Sequence, residues 1–445
     1  MTENSAHIRR IDGARHMHPY SDARQVERED ITPIVRGDGI YVFDSDGKRY
    51  IEAMAGLWSV AVGFSEKRLV DAAVAQMQVL PYYHTFSGMT HPVVAALADK
   101  LVALCPFAMS KAFFTNSGSE ANDTAIKMAW YRSNALGLPG KKKILARQGA
   151  YHGVTALSAS LTGLPKNHAG FDLPFPIVSH AMTPHYRPDM EISEEAFTDR
   201  CLADLENLIE REGADSIAAF IGEPVMGAGG VVPPPRGYWK GVQNILRKND
   251  ILLIADEVIT GFGRTGTMFA CETYDISPDI LVLSKQLSSS YQPIAAVLLA
   301  DHVYQPIAEK SAEIGIFGHG FTASGHPVAA AVALENINII EERNLIGNVR
   351  RLASRFRAHL EALLGHQTIR EVRSSGLIGA FEFTQAPNGM AGDRGSAFRK
   401  RLFDKGLICR AIGDTIALCP PLIITEDELD AIFSIIDEAL CESAA

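Results

Sequence analysis

Residues 251–269 read ILLIADEVITGFGRTGTMF, with four large apolar residues in a row and two acids, Asp256 and Glu257, shortly after them. A short, continuous apolar run of this kind predicts a strand that is buried on both faces of a sheet. A carboxylate at the end of a buried strand is costly unless another group is paired with it. The stretch therefore predicts a partner for Asp256 at the edge of the sheet.

Outward from this stretch, similar apolar runs alternate with longer segments that carry apolar residues at three- and four-residue spacing. The runs lie within KAFFTNSGSE (111–120), KKILARQGAYHG (142–153), SIAAFIGEPV (216–225) and DILVLSKQL (279–287). The helical patterns include EANDTAIKMAWYRSN (120–134), FTDRCLADLENLIER (197–211) and GYWKGVQNILRKND (237–250). Strands that alternate with helices predict an α/β fold with a doubly wound, mainly parallel sheet.

The domain organisation follows from length and from a change of pattern along the chain. The 445 residues, 47% of them hydrophobic, are enough for two lobes. Long helical patterns and alternating segments such as IGAFEF (378–383) predict a smaller α+β domain at residues 321–445. We expect the large domain at residues 66–320. The N-terminal segment 1–65, with a hairpin signal in GIYVFDSDGKRYIEA (39–53), is expected to pack with the small domain.

Composition excludes several classes of function. The formal net charge of −10 argues against nucleic acid and against anionic membranes as the main partner. No run approaches the roughly 20 apolar residues of a membrane span, and the first 20 residues lack the apolar core of a signal peptide. A cytoplasmic location is therefore expected. The cysteines are scattered without C-x-x-C spacing, so we expect neither a metal site nor a disulfide framework; they are Cys105, Cys201, Cys271, Cys409, Cys419 and Cys441.

Each predicted strand ends at an unusual polar group. The groups are Asn116–Ser119, Tyr151–Gly153, Glu223–Pro224, Asp256–Glu257 and Ser284–Lys285. Ligands of open α/β sheets bind just beyond the carboxyl ends of the strands. Five such ends therefore predict one shared site.

The residue types at these ends suggest a chemistry for that site. Ser117, Gly118 and Ser119 at a helix start can bind a phosphate, although an ordinary N-cap explains them equally well. Lys285 is either a surface lysine or a partly desolvated amine that can form a Schiff base. The partner of Asp256 is then either Lys285 or the protonated ring nitrogen of a bound cofactor. Together with an aromatic ring, these groups are the requirements of pyridoxal phosphate.

One motif in the opening stretch points elsewhere. Residues 261–266, GFGRTG, fit the G-x-G-x-x-G fingerprint of dinucleotide-binding proteins. That fingerprint must follow its strand directly and open a helix. Here five residues intervene after Ala255, and no helical pattern begins at the last glycine. We therefore do not expect a dinucleotide site.

The chain resembles the class III pyridoxal-phosphate aminotransferases, or ω-transaminases, from about residue 16 to residue 425. The resemblance is carried by motifs that occur in the family's order. They are FFTNSGSEANDTAIKMA, GAYHG, EPVMGAGGV, LLIADEVITGFGRTG, SKQLSSSYQPIAAVL, FGHGFTASGHPVAAAVALENI and KGLICRAIGD. The resemblance implies the aspartate-aminotransferase fold, also called PLP fold type I, and pyridoxal 5'-phosphate as the cofactor.

The resemblance also implies roles for the polar strand ends. Asp256 matches the aspartate that keeps the cofactor's ring nitrogen protonated. Lys285 matches the Schiff-base lysine, which moves the proton between substrate and cofactor. The further cofactor-binding residues that it implies are Ser117, Gly118 and Ser119 at the phosphate, Tyr151 and Val258 on the two ring faces, His152 beside Tyr151, and Glu223 near the ring hydroxyl.

Further residues of the resemblance concern the substrate and a second subunit. Trp58, Tyr20 and Phe86, with Tyr151, match the substrate pocket of the amine:pyruvate branch, although Trp58 alone would be interpreted as a core residue. Arg410 matches a mobile arginine that binds a substrate carboxylate; a surface ion pair is the alternative. Thr322 matches a threonine that reaches the phosphate of the neighbouring subunit. A homodimer, alone or as a dimer of dimers, with a shared active site is therefore expected.

The expected reaction has two halves, in which an amine donor gives its amino group to the cofactor and a keto acid, pyruvate, then takes it. An aminomutase or racemase of the same fold is the alternative, and a ligand-binding relative without activity is a third. Three residues depart from the family pattern near the cofactor or the pocket rim, namely Met226, Gln286 and Ala323. They leave the expected chemistry intact and are expected to affect the range of substrates.

Overall fold

A computed structural model describes residues 5–28, 31–386 and 389–444. Its strands, labelled in chain order, are β1 (Ile34–Asp38), β2 (Tyr41–Asp44), β3 (Arg49–Glu52), β4 (Lys111–Thr115), β5 (Lys143–Arg147), β6 (Val178–Ala181), β7 (Ile217–Gly222), β8 (Leu252–Asp256), β9 (Ile280–Leu283), β10 (Ala295–Leu299), β11 (Ile369–Ser375), β12 (Ile378–Phe383), β13 (Leu407–Ile408), β14 (Arg410–Ile412) and β15 (Thr415–Leu418). The five strands predicted around the shared site are all present.

Helices follow most of these strands. They are α1 (Ser5–Arg15), α2 (Ala23–Arg28), α3 (Ala55–Trp58), α4 (Lys67–Val79), α5 (Pro92–Leu104), α6 (Gly118–Ala135), α7 (Ala156–Leu161), α8 (Glu194–Glu212), α9 (Tyr238–Lys248), α10 (Ala270–Thr273), α11 (Asp301–Ile314), α12 (Pro327–Glu342), α13 (Leu345–Ala362), α14 (Asp393–Asp404) and α15 (Glu426–Ala444). The element α3 is a kinked turn, because Gly56 and Leu57 have non-helical dihedral angles. No helix in the described ranges is both long enough and apolar enough to cross a membrane.

The central sheet has seven strands in the order β4-β10-β9-β8-β7-β5-β6. Strands β9, β8, β7, β5 and β6 pair in parallel, whereas β10 pairs antiparallel with both β4 and β9. Two antiparallel steps restore the original direction, so β4 points the same way as the five parallel strands. The carboxyl ends of all five predicted strands therefore meet at one edge, as the shared site requires. The sequence interpretation did not single out β6 or the reversed β10.

Burial explains why these segments form a central sheet. Every residue of β7, β8, β9 and β10 is buried, so both faces of these strands are covered. The main hydrophobic core combines these strands with helices on both sides, including Ala121 and Ala125 of α6 and Val242 and Leu246 of α9. This layer arrangement is the predicted doubly wound α/β fold.

Two smaller sheets flank the central one. The predicted hairpin forms from β2 and β3, and β3 also pairs in parallel with β13, so the N-terminal hairpin joins a strand of the C-terminal region. The second sheet has the order β11-β12-β15-β14. The second sheet lies within the predicted α+β region, residues 321–445, whereas the first combines three strands of the N-terminal segment with β13. The boundaries at residues 65 and 320 remain predictions.

Candidate active site

A cavity of about 130 Å³ opens at the edge where the five strand ends meet. Its lining residues are Gly118, Ser119, Asn122, Tyr151, His152, Gly153, Glu223, Asp256, Val258, Ile259, Ser284 and Lys285. All of the predicted cofactor-binding residues except Ser117 and Thr322 are among them. Asn122 was missed, although it lies one helical turn after Gly118 and Ser119, a spacing that puts it on the same face of α6. Ile259 was missed as well.

Asp256 lies at the end of β8 and is only 3% exposed. Its Oδ2 atom accepts hydrogen bonds from Nδ1 of His152 at 2.7 Å and from Nδ2 of Asn122 at 2.8 Å. Its Oδ1 atom accepts from the backbone N–H of Val258 at 3.1 Å. Burial raises the pKa of this carboxyl, but the hydrogen bonds and the charge of His152 outweigh burial and lower the pKa below its usual value. In the protein chain, the partner of Asp256 is therefore His152 rather than Lys285.

The second acid of the opening stretch, Glu257, points to a different part of the protein. It is fully buried, and its carboxylate accepts hydrogen bonds from the backbone N–H groups of Ala270 at 2.9 Å and Cys271 at 2.6 Å. The hydroxyl of Thr260 donates a third bond at 2.6 Å. Glu257 thus supplies hydrogen-bond acceptors for the free N–H groups at the start of α10. Of the two adjacent acids, Asp256 lines the cavity and Glu257 stabilises the fold.

The start of α6 lines the cavity with groups that can bind an anion. Ser117 is the N-cap, since its hydroxyl accepts from the backbone N–H of Glu120 at 3.3 Å. The first N–H groups of a helix have no partner within it, so those of Gly118 and Ser119 remain for an anion. The hydroxyl of Ser119 accepts from the backbone N–H of Val154 at 3.1 Å. The N-cap and phosphate interpretations are therefore compatible, because different residues serve them.

Lys285 follows β9, is partly buried and lines the cavity. Burial lowers the pKa of its amine to about 8, although the negative charges of Asp256 and Glu223 raise it. Lys285 also has a φ of 44°, an unfavourable left-handed conformation for a side chain of this size. A lysine with a lowered pKa in a cavity is typical of an amine that acts as a nucleophile or a base.

Glu223 and Tyr151 complete the wall of the cavity. The two carboxylate oxygens of Glu223 accept from the backbone N–H groups of Tyr151 at 3.1 Å and Gly227 at 2.9 Å. Burial raises the pKa of Glu223, and the nearby charge of Asp256 adds to the effect. Glu223 thereby holds the backbone of Tyr151, whose ring lines the cavity.

The residues expected to contact the substrate lie at different distances from the cavity. The Tyr20 hydroxyl is 3.5 Å from that of Tyr151, so Tyr20 reaches the rim. Trp58 is only 2% exposed and packs with Ile259 and Cys419, which places it behind the lining rather than in it. Phe86 is 43% exposed and does not line the cavity.

Arg410 and Thr322 also lie outside the lining. Arg410 begins β14 and is partly buried, and within the described ranges its guanidinium has no hydrogen bond or ion pair. Thr322 is exposed, and its carbonyl accepts from the Tyr82 hydroxyl at 2.8 Å.

Two of the residues that depart from the family pattern are buried rather than exposed at the pocket rim. Gln286 is 1% exposed, and its amide donates to the carbonyls of Ile259 at 2.8 Å and Gly261 at 3.0 Å. Its oxygen accepts from Arg264 at 3.3 Å. Met226 is also 1% exposed and packs with buried residues. Because neither side chain lines the cavity, both are part of the packing behind it.

The donor set of this cavity fits pyridoxal phosphate. It combines a helix start for a phosphate, an ionised carboxylate for a ring nitrogen and an amine with a lowered pKa. The side chains of Tyr151 and Val258 supply surfaces for an aromatic ring. The fold and the site together define a pyridoxal-phosphate-dependent enzyme.

Comparison with known proteins identifies the family. The model of the family described as aminotransferase class-III matches residues 23–440. The chain is 49% identical over 423 residues to a probable gamma-aminobutyrate transaminase 3, mitochondrial, from Oryza sativa subsp. indica. This alignment covers 92% of this chain and 82% of the rice protein. The chain therefore belongs to the class III aminotransferases, which use pyridoxal phosphate.

Solved structures agree with the family and confirm the predicted PLP type I fold. The omega transaminase from Pseudomonas jessenii in complex with PMP is 52% identical, with a TM-score of 0.96 over 98% of both chains. A thermostable variant of an omega transaminase carrying W58G, engineered for asymmetric synthesis of enantiopure bulky amines, is 51% identical, with a TM-score of 0.97 over 98% of this chain and 99% of the other.

Proposed function

We propose that this aminotransferase transfers an amino group from a primary amine or an ω-amino acid to a keto acid, with pyruvate as the acceptor. The observation that carries the proposal is the position of Arg410 relative to Lys285. Burial is the main cause of the lowered pKa of Lys285, and the positive charge of Arg410 lowers it further. Arg410 pairs with Ala417 of β15, which packs in one cluster with the cavity residue Ile259. Arg410 therefore lies near the cavity, with no ion-pair partner of its own among the described residues.

The other residues of the cavity would hold the cofactor and direct the proton. Bound pyridoxal phosphate supplies an electron sink for the carbon that carries the amino group. The start of α6 at Gly118 and Ser119 would bind its phosphate, and the ionised Asp256 would hold its ring nitrogen protonated. Because its pKa is lowered, a larger share of the Lys285 amine is uncharged near neutral pH than in an ordinary lysine, so Nζ can accept a proton from the substrate carbon and return it.

Arg410 supports the choice of substrates. A keto acid such as pyruvate carries a carboxylate, and the planar guanidinium of arginine can bind both of its oxygens. An arylalkyl amine carries no carboxylate, and a fixed, unpaired buried charge would be costly when such an amine is bound. Arg410 is only partly buried, so its side chain can remain solvated for one substrate and bind the carboxylate of the other. An ω-amino acid would use Arg410 in both halves of the reaction.

A homodimer is part of this proposal. A row of exposed apolar side chains runs along α4 and the segment that follows it, namely Val70, Val74, Met77, Val79, Tyr82, Tyr83, Phe86 and Met89. An apolar surface of this extent favours contact with another protein. Tyr82 binds the backbone of Thr322, so the same surface carries the residue expected to reach the partner's phosphate. A second copy of the chain is the proposed occupant.

The dimer is tested by light scattering after chromatography of the Met77→Arg variant. We expect the charge to shift the protein towards monomers and to weaken cofactor binding, because Thr322 could no longer complete the neighbouring site. Leu138→Arg is the control, since Leu138 is similarly exposed but lies outside the row. A Met77→Arg protein that remains dimeric would remove this surface from the proposal.

The substrate assignment is tested by single-turnover kinetics of each half-reaction. Arg410→Ala should weaken the half-reaction with pyruvate by roughly 2–5 kcal/mol, as expected when one partner of a buried charge pair is truncated. The half-reactions with β-alanine and γ-aminobutyrate should also weaken, whereas that with an arylalkyl amine should change little. Arg399→Ala is the control, because Arg399 is exposed on the neighbouring helix α14.

The outcomes separate the alternatives. Equal losses with all substrates would mean that Arg410 is structural and that the carboxylate binds elsewhere. Incubation with an amine alone should release one equivalent of carbonyl product per site. Net isomerisation of the amine instead would indicate an aminomutase or a racemase.

A further inference from the structure

The turn that carries Lys285 has an unusual backbone. Residues Lys285–Leu287 form a single 3₁₀ turn directly after β9, and Lys285 itself has a φ of 44°. Left-handed backbone at a residue other than glycine persists only where the surroundings hold it in place. Among the described residues, no backbone N–H donates to the carbonyls of Gln286 and Leu287, because so short a turn leaves its last carbonyls without backbone partners.

Asn336 supplies the missing partners. It lies in α12, is 0% exposed, and its Nδ2 atom donates to the carbonyl of Gln286 at 2.7 Å and to that of Leu287 at 3.2 Å. Its Oδ1 atom accepts a hydrogen bond from the hydroxyl of Ser289 at 2.6 Å. One buried amide therefore binds the two residues that follow Lys285 and the start of the next loop.

The same loop is bonded to the segment that follows Trp58. The hydroxyl of Ser289 accepts from the backbone N–H of Ala61 at 3.1 Å. Beside it, the hydroxyls of Ser59 and Ser290 are in contact. The Tyr291 hydroxyl extends this connection. It donates to the carbonyl of Gly63 at 2.7 Å and accepts from the backbone N–H of Glu66 at 2.6 Å. Three consecutive residues of the loop thus bind one neighbouring segment.

We propose that Asn336 and Ser289 are positioning residues for Lys285. They hold the left-handed turn in the one arrangement that directs the amine into the cavity, and they fix that turn relative to the Trp58 segment. Neither side chain lines the cavity, so they act through the backbone of residues 285–289. The inference rests on the proposed function, in which Lys285 is the amine that binds the cofactor.

The test separates binding of the cofactor from its capture by the lysine. Pyridoxamine phosphate cannot form a bond with Lys285, so its affinity reports the phosphate and ring sites alone. The rate of covalent attachment of pyridoxal phosphate, trapped with borohydride and located by mass spectrometry, reports the position of the amine. For Asn336→Leu we expect unchanged affinity for pyridoxamine phosphate and attachment slowed by about 10²-fold, the scale of a misplacement of about 1 Å.

Two further variants complete the test. Asn338→Leu is the matched control, because Asn338 lies on the same helix and its side chain donates to Glu335 at 3.2 Å rather than to the Lys285 turn. Ser289→Ala should slow attachment less than Asn336→Leu, since Asn336 keeps its bonds to the two carbonyls. If Asn336→Leu does not fold, Ser289→Ala alone tests the inference.

The outcomes distinguish this inference from the proposed function. Attachment at the wild-type rate in a folded Asn336→Leu protein, or in Ser289→Ala where only that variant folds, would overturn the inference. Parallel losses of pyridoxamine phosphate affinity and attachment rate would also overturn it, because they indicate general damage to the site. A wild-type protein without attachment at Lys285 would instead refute the proposed function.

Discussion

Nδ1 of His152 lies 2.7 Å from Oδ2 of Asp256, and both side chains are almost completely buried. The same oxygen accepts from Asn122, whose amide also donates to the carbonyl of His152 at 2.6 Å. His152, Asn122 and Asp256 therefore form one hydrogen-bonded group in the wall of the cavity. Because these bonds favour the charged form, Asp256 can stay ionised at the end of an apolar strand.

The first prediction concerns this group. His152→Ala removes a hydrogen bond and an electrostatic attraction that both lower the pKa of Asp256. The pKa of Asp256 should therefore rise. The acid limb of the pH profile of kcat/KM should then move to higher pH. Asp256→Asn should lower the rate of amino transfer by about two to three powers of ten, the range of a lost electrostatic contact to the reacting group.

The control for His152 is His180→Ala. His180 is a partly buried histidine on β6 that binds the carbonyl of Leu161 at 3.2 Å and does not contact Asp256. An acid limb that stays in place in His152→Ala, or moves equally in both variants, would contradict the assigned role of the His152–Asp256 bond.

The second prediction is the titration of Lys285 in the cofactor-free protein. Burial lowers the pKa of Lys285 to about 8, so acylation of this amine should reach half its maximal rate near pH 8. Asp256→Asn should lower that midpoint further, because the charge of Asp256 raises the pKa of Lys285. Competitive labelling with mass spectrometry measures the pH midpoint of acylation, with the exposed Lys400 as an internal reference. A midpoint above 10, or an upward shift in Asp256→Asn, would count against the described environment.

The third prediction concerns Glu52, under the turn that leads to Trp58. Burial raises the pKa of Glu52 to about 7 from the usual 4.5. One carboxylate oxygen accepts from the backbone N–H of Gly56, and the other has no hydrogen-bond partner in the part of the chain that the structure describes. The folded state therefore favours the protonated form, and the stability it contributes is present below pH 4.5 and lost as pH rises through 7.

Glu52→Gln removes this titration and keeps an oxygen for Gly56. Relative to the wild type, its free energy of unfolding should rise between pH 4.5 and pH 7 by on the order of 3 kcal/mol, measured by denaturant unfolding. Glu195→Gln makes the same change at an exposed glutamate and serves as the control. A constant difference between Glu52→Gln and the wild type across this pH range would show that Glu52 titrates normally.

The fourth prediction concerns the phosphate end of the cavity. Gly153 has a φ of 128°, and a Cβ atom there would lie 2.5 Å from the hydroxyl oxygens of both Ser119 and Ser158. Gly153→Ala should therefore displace Ser119 and weaken binding of pyridoxamine phosphate by about 5- to 150-fold, since strain of this kind costs about 1–3 kcal/mol. Equilibrium dialysis measures the affinity. Gly140→Ala, at a position with open space around it, should leave the affinity unchanged.

Much of the fold and the cofactor site could be predicted from local sequence patterns. Apolar runs specify strands because both faces of a covered sheet must be apolar, and the residue that ends a parallel strand must lie at the ligand edge. For this reason Asp256, Lys285 and Tyr151 could be assigned to one site before any contact was known. The reversed strand β10 was not predicted, because the direction of a short apolar run leaves no signal in its composition.

The sequence by itself determined which chemical groups meet at the sheet edge, whereas only the tertiary structure decided their partners. A pattern shows that a carboxylate follows β8, but a hydrogen bond requires a distance within a few tenths of an ångström, which depends on strand order and helix packing. The partner of Asp256 therefore proved to be His152, which comes 104 residues earlier in the chain. For the same reason the burial of Trp58 behind Ile259 and the Asn336 contact to the Lys285 turn appeared only in the folded chain, where distant segments pack together.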